Sequence, residues 1–86
     1  MEKLTPLARR KLKDVADEEE KNTGKKLAEE EVVDLIFRGI GELDNTINNF
    51  KNCVKLSLSS NIIQRLPPEI NLDRLEILSL GRNKIK

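Results

Sequence analysis

The phrase Leu56-Ser57-Leu58, with Asn61 three residues beyond its second leucine, returns 22 residues later as Leu78-Ser79-Leu80 with Asn83. At the same offset the flanking apolar positions fall into step: Cys53 with Leu75, Ile63 with Ile85, and Phe50 with Leu72. Five apolar positions and an asparagine recurring at one fixed distance constrain the chain more than any other feature it has. Self-similarity at this period means that each unit buries its apolar side against its neighbours and not within itself.

Each residue type in the unit has a mechanical reason. Leu56 and Leu58 alternate along a short strand, so both point inward while Lys55, Ser57 and Ser59 point outward. Asn61 stands where the chain leaves the strand, and its amide can both donate to and accept from backbone groups that a turn leaves unpaired. Ile63 and Leu66 fill the space behind, Pro67 and Pro68 bring the chain round, and Leu72 and Leu75 complete the circuit. Leu78, Leu80, Asn83 and Ile85 repeat these roles. The expected fold class is α/β: a leucine-rich repeat solenoid fragment with two parallel strands at about 55–58 and 77–80, preceded by an α-helical N-terminal cap. The leucines and asparagines are structural in this reading. Partner recognition falls to the outward positions: Lys55, Ser57, Ser59 and Ser60 in the first unit, and Ile77, Ser79, Gly81 and Arg82 in the second.

The chain changes character near Asn45, which divides it into a helical N-terminal segment, residues 1–44, and a repeat segment, residues 45–86. Thr5 followed by Pro6 resembles a helix N-cap with proline at the first helical position. A helix from Pro6 to Lys21 follows, with Leu7, Ala8, Leu12, Val15 and Ala16 on one stripe and Asn22-Thr23-Gly24 as its stop. Its charges run from basic (Arg9, Arg10, Lys11, Lys13) to acidic (Asp14, Asp17 and Glu18 to Glu20), against the helix dipole. A second helix is expected over Leu27–Phe37, with Ala28, Val32, Leu35 and Ile36 on one face and an end at Gly39 or Gly41. Leu43, Ile47 and Phe50 suggest a short amphipathic helix ahead of the repeats.

Composition excludes most chemistry. The 86 residues include no histidine and a single cysteine, so Cys53 has neither a disulfide partner nor an imidazole to activate it and reads as a small core residue. No glycine-rich phosphate loop and no cysteine cluster for a metal occurs, and the chain is expected to be non-enzymatic with no cofactor. A net charge of +1 provides no field for nucleic acid, and two phenylalanines without tyrosine or tryptophan provide little to stack on bases. No apolar run approaches the roughly 18 residues that mark a membrane span. The expectation is a cytoplasmic protein that binds neither nucleic acid nor membrane.

The phrases "NCVKLSLSSNII" and "LEILSLGRNKIK" resemble the first full repeats of the axonemal outer-arm dynein light chain 1 family, and "EEEKNTG" resembles the end of that family's N-terminal helix. The likeness is specific over residues 52–86 and looser over 18–50, and it covers the family's N-terminal portion. The resemblance implies a non-catalytic light chain that binds a dynein heavy chain and contacts tubulin or microtubules in the axoneme of a cilium or flagellum. The stretch "LPPEINL" departs from the family's pattern and keeps a second reading open, another leucine-rich regulator of the phosphatase-regulatory or tubulin-cofactor type. A third is a truncated product without independent function. Two repeats leave the last coil uncapped, which predicts marginal folding and self-association through the strand edge near Leu78 to Leu80.

Overall fold

Alternation along Lys55-Leu56-Ser57 and Ile77-Leu78-Ser79 produces two short strands whose leucines occupy one face, and the two strands pair in parallel as the repeat requires. The computed structural model describes residues 10–85 as a mixed α/β arrangement. In chain order the elements are strand β1 (Arg10–Lys11), helix α1 (Leu12–Thr23), a 3₁₀ turn at Leu27–Glu29, β2 (Val32–Asp34), β3 (Ile40–Glu42), a 3₁₀ helix at Asn45–Asn49, β4 (Lys55–Ser57) and β5 (Ile77–Ser79). Strands β2, β4 and β5 form one parallel sheet in that order, while β1 pairs with β3 in a second, two-stranded sheet. The register aligns Val32 with Lys55 and Ile77, Val33 with Leu56 and Leu78, and Asp34 with Ser57 and Ser79.

Strand β2 replaces the second helix expected over Leu27–Phe37. Val33 and Leu35 are buried, while Ala28, Val32 and Ile36, assigned to the same face by helical spacing, are exposed. The segment follows a period of two and not 3.6, because β4 offers it a parallel ladder: the N–H groups of Val54 and Lys55 both donate to Glu31 O, and Leu35 N donates to Ser57 O at 2.9 Å. Two adjacent β-branched valines suit that ladder better than a helix. Leu43, Ile47 and Phe50 are buried as their spacing implies, but Ile47 sits within, and the other two flank, a 3₁₀ helix whose start is capped by Asp44, its carboxylate accepting from Thr46 N at 2.9 Å.

Helix α1 starts at Leu12, because Arg10 and Lys11 are drawn into pairing with Ile40 and Glu42. The expected cap at Thr5 and Pro6, with Leu7, Ala8 and Arg9, lies outside the described residues. The later start lessens the opposition to the dipole, since Asp14 now stands beside Lys13 in the first turn and Lys21 beside Glu20 in the last. Gly24 ends the helix as expected, at φ +73° with its N–H donating to Glu20 O at 2.8 Å. Leu12, Val15 and Ala16 bury the helix against β3 and the 3₁₀ helix, worth about 4–5 kcal/mol of transfer free energy. The same apolar cluster continues through Ile40, Ile47, Phe50, Cys53, Leu56, Leu58 and Ile63, so one core runs across the change in composition at Asn45.

Candidate interaction surface

Inward leucines leave the opposite face of the three-stranded sheet to residues of every other position. Its rows run Val32, Lys55, Ile77 and then Asp34, Ser57, Ser79, followed by Ile36, Ser59 and Gly81 where the chain leaves the strands. Val32 is 60% exposed and Ile77 48%, on either side of the exposed Lys55. Two large aliphatic side chains in water flank one cation, with small serines beyond them. Arg74 and Glu31 stand 3.7 Å apart near the strand starts, both more than half exposed, which makes theirs a weak surface pair.

Among the positions that the sequence assigned to partners, Lys55, Ile77, Gly81 and Arg82 are exposed, and Ser59, Ser60 and Ser79 are half-buried. Ser57 is a correction: it is buried, because β4 is the central strand and a side chain so short is shielded by Asp34 and Ser79 on either side. Val32, Asp34, Ile36 and Phe37 belong to the same face or its rim and escaped the repeat reading. A signal for them exists. Val33 and Leu35 stand 23 residues before Leu56 and Leu58, and Ile40 stands 23 before Ile63, with Arg38 in the place of Asn61.

Among the residues assigned to structure, Cys53, Leu56, Leu58, Asn61 and Ile63 are buried and Leu72, Leu75, Leu80 and Asn83 partly so. Leu66, Leu78 and Ile85 are more than a third exposed, since β5 is the last strand of the sheet among the described residues. Asn61 is fully engaged. Its Nδ2 donates to the carbonyls of Leu35, Leu58 and Ser59 at 3.0, 2.8 and 3.2 Å, and its Oδ1 accepts from the N–H groups of Arg38 and Ile40 at 2.9 and 3.0 Å. Asn83 repeats the motif one step on, donating to Leu58, Leu80 and Gly81 and accepting from Ile63 N at 2.9 Å. Cys53 is fully buried with its Sγ 3.2 Å from Lys55 O, and burial pushes its thiol above the ordinary range.

Arg38 points to helix α1, where its guanidinium donates to Glu19 at 2.7 Å and to Glu18 at 3.3 Å. Glu18 also accepts from Arg10 at 2.7 Å, so one carboxylate ties β1 and the turn after β2 to the helix. The hydrogen bonds from Arg10 and then Arg38 hold Glu18 below the usual carboxylate range. Among the described residues no group of three carboxylate or cysteine side chains could hold a metal, and no helix is long and apolar enough to cross a membrane.

No protein-family model matches the chain. Curated relatives do. It is 41% identical over 69 residues to dynein axonemal light chain 1 of Danio rerio, covering 78% of this chain and 36% of that protein. It is 36% identical over 77 residues to dynein axonemal light chain 1 of Rattus norvegicus, 87% of this chain and 40% of that one. The Homo sapiens protein of the same name is 39% identical over 69 residues, 78% and 36%. The chain thus spans about 36–40% of the length of these relatives. Identity at this level extends over most of the chain and supports placing it in the axonemal dynein light chain 1 family.

Proposed function

We propose that this chain is a non-catalytic light-chain module that binds an axonemal dynein heavy chain through the outward face of its parallel sheet. We read its strands as successive coils of a leucine-rich repeat solenoid, with Val33, Leu56 and Leu78 as equivalent positions and the repeat pattern beginning ahead of Asn45. The observation that carries the reading is the row Val32, Lys55, Ile77, in which two exposed aliphatic side chains flank a cation on a face whose other members are mostly small or polar. Apolar side chains held in water on rigid strands, with a charged group to fix orientation, are the raw material of a binding hot spot. Names of the relatives support a dynein partner and a place in the axoneme of a cilium or flagellum.

The test is isothermal titration of the chain into a recombinant axonemal dynein heavy-chain motor domain. Saturable binding is expected, weakened at least tenfold, or about 1.4 kcal/mol, by the double substitution Lys55→Glu with Ile77→Ser. No binding by the unaltered chain overturns the proposal. Equal binding by the double variant moves the interface off this face. Contact with tubulin belongs to the same reading, and co-sedimentation with microtubules in the absence of heavy chain examines it separately.

A further inference from the structure

Phe37 breaks two rules at once. Its φ of +59° places a bulky side chain in the left-handed region, where Cβ crowds the following carbonyl and residues other than glycine, asparagine and aspartate are uncommon. Its ring is 82% exposed, so packing offsets none of that strain. The fold demands the conformation, because Ser60 and Arg82, at the equivalent place in the next two coils, have φ of +59° and +58°. It does not demand the residue. Asparagine or glycine would meet the same turn with less strain, and any polar side chain would sit better in water. A side chain unfavourable on both counts points to a role outside the fold.

Its surroundings say what that role requires. Phe37 N donates to Ser59 O at 3.2 Å and Ser60 N to Gly81 O at 2.9 Å, so Phe37, Ser60 and Arg82 form a row along the rim of the sheet, stepped by roughly 4.8 Å per coil. Beside Phe37 lies an open groove of about 510 Å³ that Arg10, Glu18, Arg38 and Ile62 also line, and Ile36, the residue before Phe37, is exposed. Arg10 and Arg38 are matched by Glu18 and Glu19, whereas the exposed Arg82 meets no carboxylate among the described residues. The rim therefore has an apolar end and, about 10 Å along it, a cationic end.

We propose that this rim, anchored by Phe37, is a docking surface for an acidic amphipathic helix of a partner protein. An aliphatic side chain of the helix meets Phe37 and Ile36, and a carboxylate two turns on meets Arg82. Two turns span about 10.8 Å, which matches the row. Along an extended strand the side chains of one face recur about every 6.7 Å, and no multiple of that reaches from Phe37 to Arg82. This rests on the reading of the chain as a protein-interaction module, but not on which protein it binds or on the Val32–Ile77 row.

The experiment titrates a synthetic alanine-based helix, carrying leucine and glutamate seven residues apart, into the isotopically labelled 86-residue chain. Amide shifts are expected at Phe37, Ser60 and Arg82. Affinity should fall tenfold or more for the peptide with lysine in place of glutamate and for the chain variants Phe37→Asn and Arg82→Glu, while Phe37→Tyr retains it. Phe37→Asn should also raise the thermal midpoint by on the order of 4 °C, because asparagine enters the left-handed region more easily. A lower midpoint in Phe37→Asn makes the ring a structural residue and overturns the proposal. So do shifts that lie elsewhere, that ignore the lysine swap, or that follow the chain's own concentration and hence a second copy. Heavy-chain binding without peptide binding upholds the light-chain reading alone, and peptide binding without heavy-chain binding upholds this one alone.

Discussion

Arg38 stands after β2 where Asn61 and Asn83 stand after β4 and β5, and the exchange shows what each residue type can do there. Asparagine carries a donor and an acceptor on a short stem, so Asn61 serves five backbone groups of its own coil and the one before. An arginine has donors only. With Asn61 already serving Arg38 N and Ile40 N from the neighbouring coil, Arg38 is released to reach Glu18 and Glu19 on helix α1. The ladder makes unequal demands along its length. Replacing Asn61 with alanine strands a buried N–H group at Ile40 and a part-buried one at Arg38 and should cost about 3 kcal/mol in chemical denaturation. Asn83→Ala should cost about 1 kcal/mol, because Asn83 is only partly buried and accepts from one N–H group. Equal costs, or the reverse order, would refute the ladder as the source of stability at these sites.

At the scale of the element, α1 is held by partners far away in sequence, and this is why its beginning was illegible. Lys11 supplies no side-chain cap; instead Asp44, 31 residues beyond Lys13, accepts from Lys13 N at 3.3 Å while also capping the 3₁₀ helix. The helix stop at Gly24 was readable, since a left-handed terminus requires only a local residue type. The strand at Val32–Asp34 was not, because Leu35 fits both the helical stripe of Ala28, Val32, Leu35 and Ile36 and the alternating pair Val33 and Leu35, and only the neighbouring β4 ladder decides between them. Of the candidate surface, Lys55 and Ile77 were legible from the repeat, whereas Val32 and Phe37 were lost with the strand that carries them. The tie between helix and coil has a pH signature. Glu18 is held below its ordinary range by Arg10 and Arg38, so the native state favours the ionised form. A depressed carboxylate stabilises the fold above its unfolded value and loses that contribution as pH falls through the folded one. Glu18→Gln should therefore lower the thermal midpoint at pH 7, and the gap from the unaltered chain should narrow as pH falls below the ordinary glutamate value of about 4.3. A gap independent of pH would place the effect in packing and not in charge.

Across the whole molecule, exposure follows position in the stack. Apolar side chains between two layers, such as Leu56 between Val33 and Leu78, are fully buried, while Leu78, Leu66 and Ile85, with a layer on one side only, are more than a third exposed. Because Ile77 N donates to Val54 O and Ser79 O accepts from Leu58 N, alternation directs the N–H and C=O of Leu78 to the outer side, where no strand pairs among the described residues. An edge that combines free backbone groups with greasy side chains is a template for another chain, and Leu78 carries neither charge nor proline to blunt it. The 86-residue chain should accordingly associate as its concentration rises, measured by sedimentation velocity. Leu78→Lys should weaken that association about tenfold, equivalent to about 1.4 kcal/mol. Ile85→Lys, which lies outside the strand and leaves its backbone untouched, should act in the same direction and separates loss of the edge from loss of the fold. If the chain stays monomeric at every concentration with its circular dichroism intact, the half-exposed leucines of the outer layer are tolerated surface, and burial between layers is by itself enough to hold the stack together.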